Sequence, residues 1–481
     1  MSANPILTGQ IYNQNFPNYN GAFPGYGFPG GGFPGAGGPC NKGNCGKGPF
    51  GAPPVPGICS APGACPPGPF MPGSAPCPPT CLPTCPPRPR PLDCDPCDPS
   101  GKRFDPCPLK SFCDPALANT CQPTPIIDPC APRRVITTFK VNYLVANRGN
   151  TNTSGGNMVS LSANQIRAAH LDPQLIAPWG IVIYNNELWV TTNGTDVINN
   201  YDLYGNKLQG NILLRDAAHN PSFPTGIVVN CGTGFNVSSG VTTKPSLFLV
   251  VGEHGTVQGY NPFVNVDIAY IVLNQQLTGE VAVYRGIALV NSVMYLADFF
   301  QGHIDVFDGS YNRLLGFHFV DNDASDPIPI DFAPNNIVHI GCFLYILYAR
   351  RDFNVPLTDI DGAGNGYISV FGFDGSFVRR FASRGVLNSP WAMIPAPCEC
   401  GLPPGALLVG NNGDGRINAF DCDGNFIGPL LNQAGLPVEL DGLYGLAPHY
   451  TEFSQIYFAA APDEDVDGVV GNLVFSQRIV V

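Results

Sequence analysis

Six copies of one strand-rich unit, each about 50 residues long, fill the chain beyond residue 178 and predict an all-β fold, a six-bladed β-propeller. A single apolar strand just ahead of the first copy, placed to pair with the last and close the ring, points the same way. The third observation is an abrupt change of composition near residue 134, which sets a Gly/Pro/Cys-rich, largely irregular and disulfide-rich arm apart from the propeller. The expected boundaries are residues 1–38 for a flexible Phe-Pro-Gly segment, 39–134 for a Cys/Pro-rich cross-linking arm, and 135–481 for the propeller.

The change at residue 134 is large. Residues 1–134 hold 32 of the 51 prolines and 13 of the 18 cysteines, whereas all 7 histidines lie beyond them. The arm is weakly basic and the body strongly acidic, which together give the net charge of -12. That sign argues against nucleic acid as the main partner, because phosphate binding needs cationic side chains. The 57 glycines and 51 prolines also exclude a helical bundle.

In the first segment Phe23-Pro24-Gly25, Phe28-Pro29-Gly30 and Phe33-Pro34-Gly35 repeat at fixed spacing, and glycine at this density resists ordering. The cysteines follow: Cys40, Cys45, Cys59, Cys65, Cys77, Cys81, Cys85, Cys94, Cys97, Cys107, Cys113, Cys121 and Cys130. They lie among prolines with few aliphatic residues, so cross-links rather than a hydrophobic core are expected to hold any order there. Zinc is the weaker alternative, since Cys94 and Cys97 have no second pair at ribbon spacing and the arm has no histidine. Thirteen is odd, so one thiol is left for another chain or for a body cysteine, and self-association into an oligomer or filament is expected. No basic and apolar leader opens the sequence, and no run of about 18 apolar residues offers a membrane span. A virion surface or another extracellular assembly, oxidised outside the usual export route, reconciles these facts.

The copies open at Pro178, Pro224, Arg285, Pro334, Pro390 and Leu443. Each continues through an apolar strand, a turn, and a strand closing on an aromatic residue or Asp, with four strand signals per copy. The third is the clearest: Arg285-Gly286-Ile287-Ala288, Met294 to Asp298, and His303-Ile304-Asp305-Val306-Phe307-Asp308. Val135 to Val145 is the candidate closing strand, and it would pair with the strand that runs to Val481.

Several stretches carry a resemblance: Ile176-Ala177-Pro178-Trp179-Gly180-Ile181, Gly362 to Gly366 with Val370-Phe371, Leu387 to Ala392, and above all Gly405 to Phe420. On these, residues 139–475 resemble an uncharacterised family of mostly bacterial, secreted six-bladed propellers, related in outline to NHL-repeat propellers. That resemblance implies the fold and no established reaction. The Cys/Pro-rich arm is similar in composition to those of surface-fibril proteins of mimivirus-like giant viruses, which implies a structural role.

In a propeller the loops leading into the inner strands and the loops after the second strands emerge together around the channel. Trp179, Asn193, Glu253, His254, Arg285, Asp298, Asn335, Trp391, Asn411 and Asn412 are therefore expected to form a polar, aromatic-flanked mouth suited to a small molecule, a glycan or a host-surface ligand. The two tryptophans also fit a packing role between blades. Asp359, Asp361, Asp463, Asp465 and Asp467 offer hard oxygen ligands for calcium, although neither acidic cluster is an EF-hand and solvated loop acids explain them too. Glu253 with His254 as acid and base, or Asp298 with Asn411 holding a metal, would suit a hydrolase or lyase acting on a carbohydrate or lactone; no spaced catalytic motif supports this. Sequons at Asn152, Asn193 and Asn236 would fit a surface glycoprotein. The leading expectation is a structural or interaction protein, with the propeller displayed and the arm used for anchoring and disulfide cross-linking.

Overall fold

The computed structural model describes residues 134–148, 159–161, 164–214, 221–275, 279, 281–355, 358–397, 400–449 and 455–480. The Phe-Pro-Gly segment, all thirteen arm cysteines and Asn152 lie outside them. Among the described residues every regular element is a strand, and no helix is long and apolar enough to cross a membrane.

The six copies form six sheets, antiparallel except where Val145 and Ala146 of blade 6 pair in parallel with His170 and Leu171. Their inner strands are Pro178–Tyr184, Pro224–Val229, Tyr284–Val290, Phe332–Ile340, Pro390–Pro395 and Leu443–His449. In blades 1, 2, 4 and 5 the remaining strands follow outward in chain order, and blade 2 carries an added hairpin, Asn236–Ser238 with Thr243–Pro245. Blade 6 is completed from the start of the body: Arg134–Ala146 pairs antiparallel with Val469–Val480, from Arg134 opposite Val480 to Ala146 opposite Val469. The ring is therefore closed by hydrogen bonds between segments more than 300 residues apart, and no long edge is left unpaired there. The end of the closing strand is tied in as well, because the Asn147 amide donates to Asp467 at 3.1 Å and Asn147 accepts from the Gly468 amide at 3.1 Å.

Blade 3 departs from the expected four strands and has three: Tyr284–Val290, Val293–Asp298 and His303–Asp308. After Leu314, whose amide still reaches the Val306 carbonyl at 2.8 Å, the chain leaves the ladder. Gly316 is left-handed at φ 92°, Pro327 and Pro329 cannot donate to a ladder, and Asp321 is held by Arg380 of blade 4. Phe317 and Phe319 instead set their edges against Tyr295, with ring centroids 6.4 and 6.0 Å away.

The core is a circle of layers between neighbouring blades. Blade 1 meets blade 2 through Trp189, Ile198, Phe248 and Val250, and blade 2 meets blade 3 through Leu249, Val251, Met294 and Leu296. Equivalent layers join blades 3 to 4, 4 to 5, 5 to 6 and 6 to 1. A second strand is thus covered on both faces, which explains uninterrupted apolar runs such as Phe248–Gly252 and Leu407–Asn411, every residue of them buried.

Near the axis the inner strands crowd. A Cβ on Gly180 would stand 2.6 Å from the Thr225 carbonyl oxygen, and one on Gly445 would stand 2.5 Å from that of Trp179. The glycine of the repeated Gly-Ile pair therefore makes room for the next strand, and its partner Ile181, Ile227 or Ile287 lines the channel. That channel encloses about 840 Å³ and reaches the turns at Asn185-Asn186 and Gly341.

Candidate functional site

The loops leading into the inner strands converge on one guanidinium. Arg285, at the second position of the blade 3 inner strand, is only 4% exposed. Its Nη1 donates to Asn335 Oδ1 and to Asp359 Oδ1, each at 2.9 Å, and its Nε lies 3.7 Å from Glu253 Oε1. The guanidinium also sits 3.8 Å over the Phe299 ring and 5.7 Å from the Trp179 ring centre. One side chain thereby touches residues of blades 1, 2, 3 and 4.

Blades 5 and 6 complete the mouth with aromatic rings. Trp179 stacks on Tyr444 with centroids 3.9 Å apart, and Trp391 sets its edge against both, at 6.3 and 5.9 Å. The two tryptophans meet each other and Tyr444 in one buried cluster, and so take the packing role between blades 5, 6 and 1. They are 2% and 5% exposed, and neither indole Nε1 has a hydrogen-bond partner. Tyr444 donates to Asp465 Oδ2 at 3.3 Å. The loop bearing Asp465 is unusual, because Asp463, Glu464 and Asp465 all have positive φ, 60°, 54° and 64°. Three successive left-handed residues without glycine store strain, and here the turn carries Asp465 to Tyr444.

Carboxylates outnumber cations in this space. Burial works against the charge on Arg285, but Asp359 and Glu253 outweigh it and hold the guanidinium firmly protonated. Burial raises the Glu253 carboxyl above its ordinary value in spite of Arg285. Asp361 is raised by burial and then by the charge of Asp359. Asp465 is pushed up to about 7, first by burial and then by the charge of Glu253. Asp465 is thus a carboxyl that titrates near neutrality beside a buried ion pair.

The other anticipated residues fall in different places. Asn193 is buried and its amide donates to Glu253 Oε2 at 3.4 Å, so this sequon asparagine cannot present a glycan; Asn236 is exposed. His254 is half-buried with its ring edge-on to Phe223. Asn411 donates to the Val386 carbonyl and to Asp414, and Asn412 reaches the Leu443 carbonyl at 3.4 Å. Asp298 and Asn411 have separate partners: Asp298 Oδ1 accepts from the amides of Val283, Phe300 and Gln301. The five acids considered for calcium divide in two. Asp359, Asp361 and Asp465 belong to the Arg285 cluster, whereas Asp463 and Asp467 pair with Arg148. Sequence reasoning does not single out Phe299, although the signal is present: it directly follows Asp298, the last residue of the blade 3 second strand, in one of the loops expected at the mouth.

Comparison with known proteins adds a family. A protein of Acanthamoeba polyphaga mimivirus, described as uncharacterized, is 60% identical over 375 residues, covering 78% of this chain and 96% of its own length. The chain belongs to that mimivirus family. A second uncharacterized mimivirus member is 58% identical over 381 residues, 79% of this chain and 91% of that protein. No family profile matches the chain. Among solved structures, similarity extends to a Bacteroides thetaiotaomicron protein of unknown function, with a TM-score of 0.43 at 10% identity over 71% of this chain and 77% of that one. It extends also to streptogramin B lyase, with a TM-score of 0.38 at 10% identity over 63% and 95%.

Proposed function

We propose that this member of the mimivirus family is a structural or interaction protein of a virion-surface assembly. In this reading the propeller is displayed, and the Cys/Pro-rich arm anchors it and cross-links it to further copies. The observation that carries it is the use made of the mouth. The residues that could have formed an open polar cleft are buried against one another and join blades. A closed propeller attached to a segment with 13 cysteines suits display better than turnover. Viral relatives that match it over most of their own length support a place on the particle.

Electrophoresis of purified particles with and without reductant tests this. The expected result is a ladder of oligomers that collapses to the 51.1 kDa chain on reduction. Monomer in both lanes would remove the cross-linking role. The second reading, a hydrolase or lyase acting on a carbohydrate or lactone, draws on Asp465, whose near-neutral carboxyl suits proton transfer. It requires turnover that disappears in Asp465→Asn while the assembly survives.

A further inference from the structure

Blade 3 holds a second cluster, built from one hairpin and separate from the Arg285 network. Asp298 ends the second strand, His303 begins the third and Asp305 lies two residues on, so the turn at Phe299 to Gly302 folds the three together. One ligand atom from each, a carboxylate oxygen from either Asp and a ring nitrogen from His303, lies within 4.8 Å of the other two. Atoms that share a cation at about 2.1 Å stand about 3 to 4 Å apart, so a small contraction would bring this set to coordination distance.

The two aspartates are already oriented from behind. Asp298 Oδ1 takes three backbone amides, and Asp305 Oδ2 takes the Tyr284 hydroxyl at 2.7 Å. The turn is braced by Arg351, whose Nη1 donates to the Phe300 carbonyl at 2.8 Å. Outer contacts of this kind fix first ligands at metal sites. The second Asp298 oxygen, Oδ2, has no hydrogen-bond partner although the residue is 1% exposed. A buried carboxylate oxygen left without a donor is costly, and a cation in the cluster would satisfy it. His303 keeps one side toward solvent, and its Nε2 lies 3.0 Å from Asp305 Oδ1, which also takes a contact from Arg313.

We propose that Asp298, His303 and Asp305 form a binding site for a first-row divalent cation such as manganese, with Arg313 as the group that the cation displaces from Asp305. Two hard carboxylates and one imidazole suit such an ion, whereas the arm cysteines favour softer metals. Manganese is therefore the probe. Chelator-treated full chain is titrated with Mn²⁺ while the spectrum of the free ion is followed by electron paramagnetic resonance. One ion per chain is expected. Asp298→Asn keeps an acceptor for the three amides, and His303→Gln alters a half-exposed side chain, so both should fold; each is expected to weaken binding about tenfold or more. Arg313→Gln is expected to tighten it. Absence of stoichiometric Mn²⁺ binding in the parent chain would overturn the site, as would affinities in Asp298→Asn and His303→Gln equal to that of the parent.

Discussion

Replacing Arg285 with Met is expected to lower the stability of the propeller by about 3–5 kcal/mol, the usual cost of removing one partner of a buried ion pair. Glu253 and Asp359 would keep their places around a vacated cation, and Asn335 would lose its donor. The mutant should fare worse at pH 8 than at pH 5, because burial already raises the Glu253 carboxyl and the loss of Arg285 lets it take up a proton at the lower pH. Arg285→Lys should recover only part of the loss. An ammonium cannot place one planar group over Phe299 while bonding Asn335 and Asp359. Denaturant unfolding of the isolated body, residues 134–481, measures each difference, with the parent body's own cooperative transition as the first check. A change below about 1 kcal/mol would show that the guanidinium does not hold the mouth together.

The second large effect concerns Asp465, and its sign is opposite. Its carboxyl titrates near 7 in the folded chain, against about 3.9 when unfolded. Between those values the folded state holds a proton that the unfolded state has released, so stability falls as pH rises from about 4 to about 7. Above 7 the charge is present in both states and the full penalty applies. Asp465→Asn should therefore leave the protein almost unchanged at pH 4 and stabilise it by roughly 2 kcal/mol at pH 8. Asparagine tolerates the left-handed conformation found there and can still accept from Tyr444. Thermal melts across this range provide the measurement. A mutant that loses stability at pH 8 would mean that the ionised carboxylate is held favourably and that the mouth is less acidic than its contacts indicate.

Both effects depend on residues whose positions could be read in the sequence but whose surroundings could not. Repeat alignment placed Arg285, Glu253, Asn335 and Asp359 on loops around one mouth, because the Gly-Ile pairs and strand-final acids recur at nearly constant spacing. It could not show that they face inward and satisfy one another, since that depends on how closely the inner strands approach at Gly180 and Gly445. The closing strand was legible from its partial alternation between Ile136 and Val145. The loss of the fourth strand in blade 3 was not, because Leu314, Phe317 and Phe319 are apolar enough to suggest a strand. The rings of Phe317 and Phe319 set their edges against Tyr295, and Gly316 with the two prolines carries the chain off the sheet. The sequence marks Asp298 as a site residue but pairs it with Asn411, two blades away. Its neighbours in space are those of its own hairpin, five and seven residues on, a spacing that a β-turn brings together and that a search for distant partners overlooks.

The closed mouth and the cysteine-rich arm bear on one claim, that this chain serves as a displayed, cross-linked component of a particle. Immunogold labelling of intact purified particles with an antibody raised against the propeller tests it most directly. The account predicts gold on the outer surface, released into the supernatant when the particles are treated with reductant. Particles without label, with the chain recovered as a soluble monomer, would contradict it.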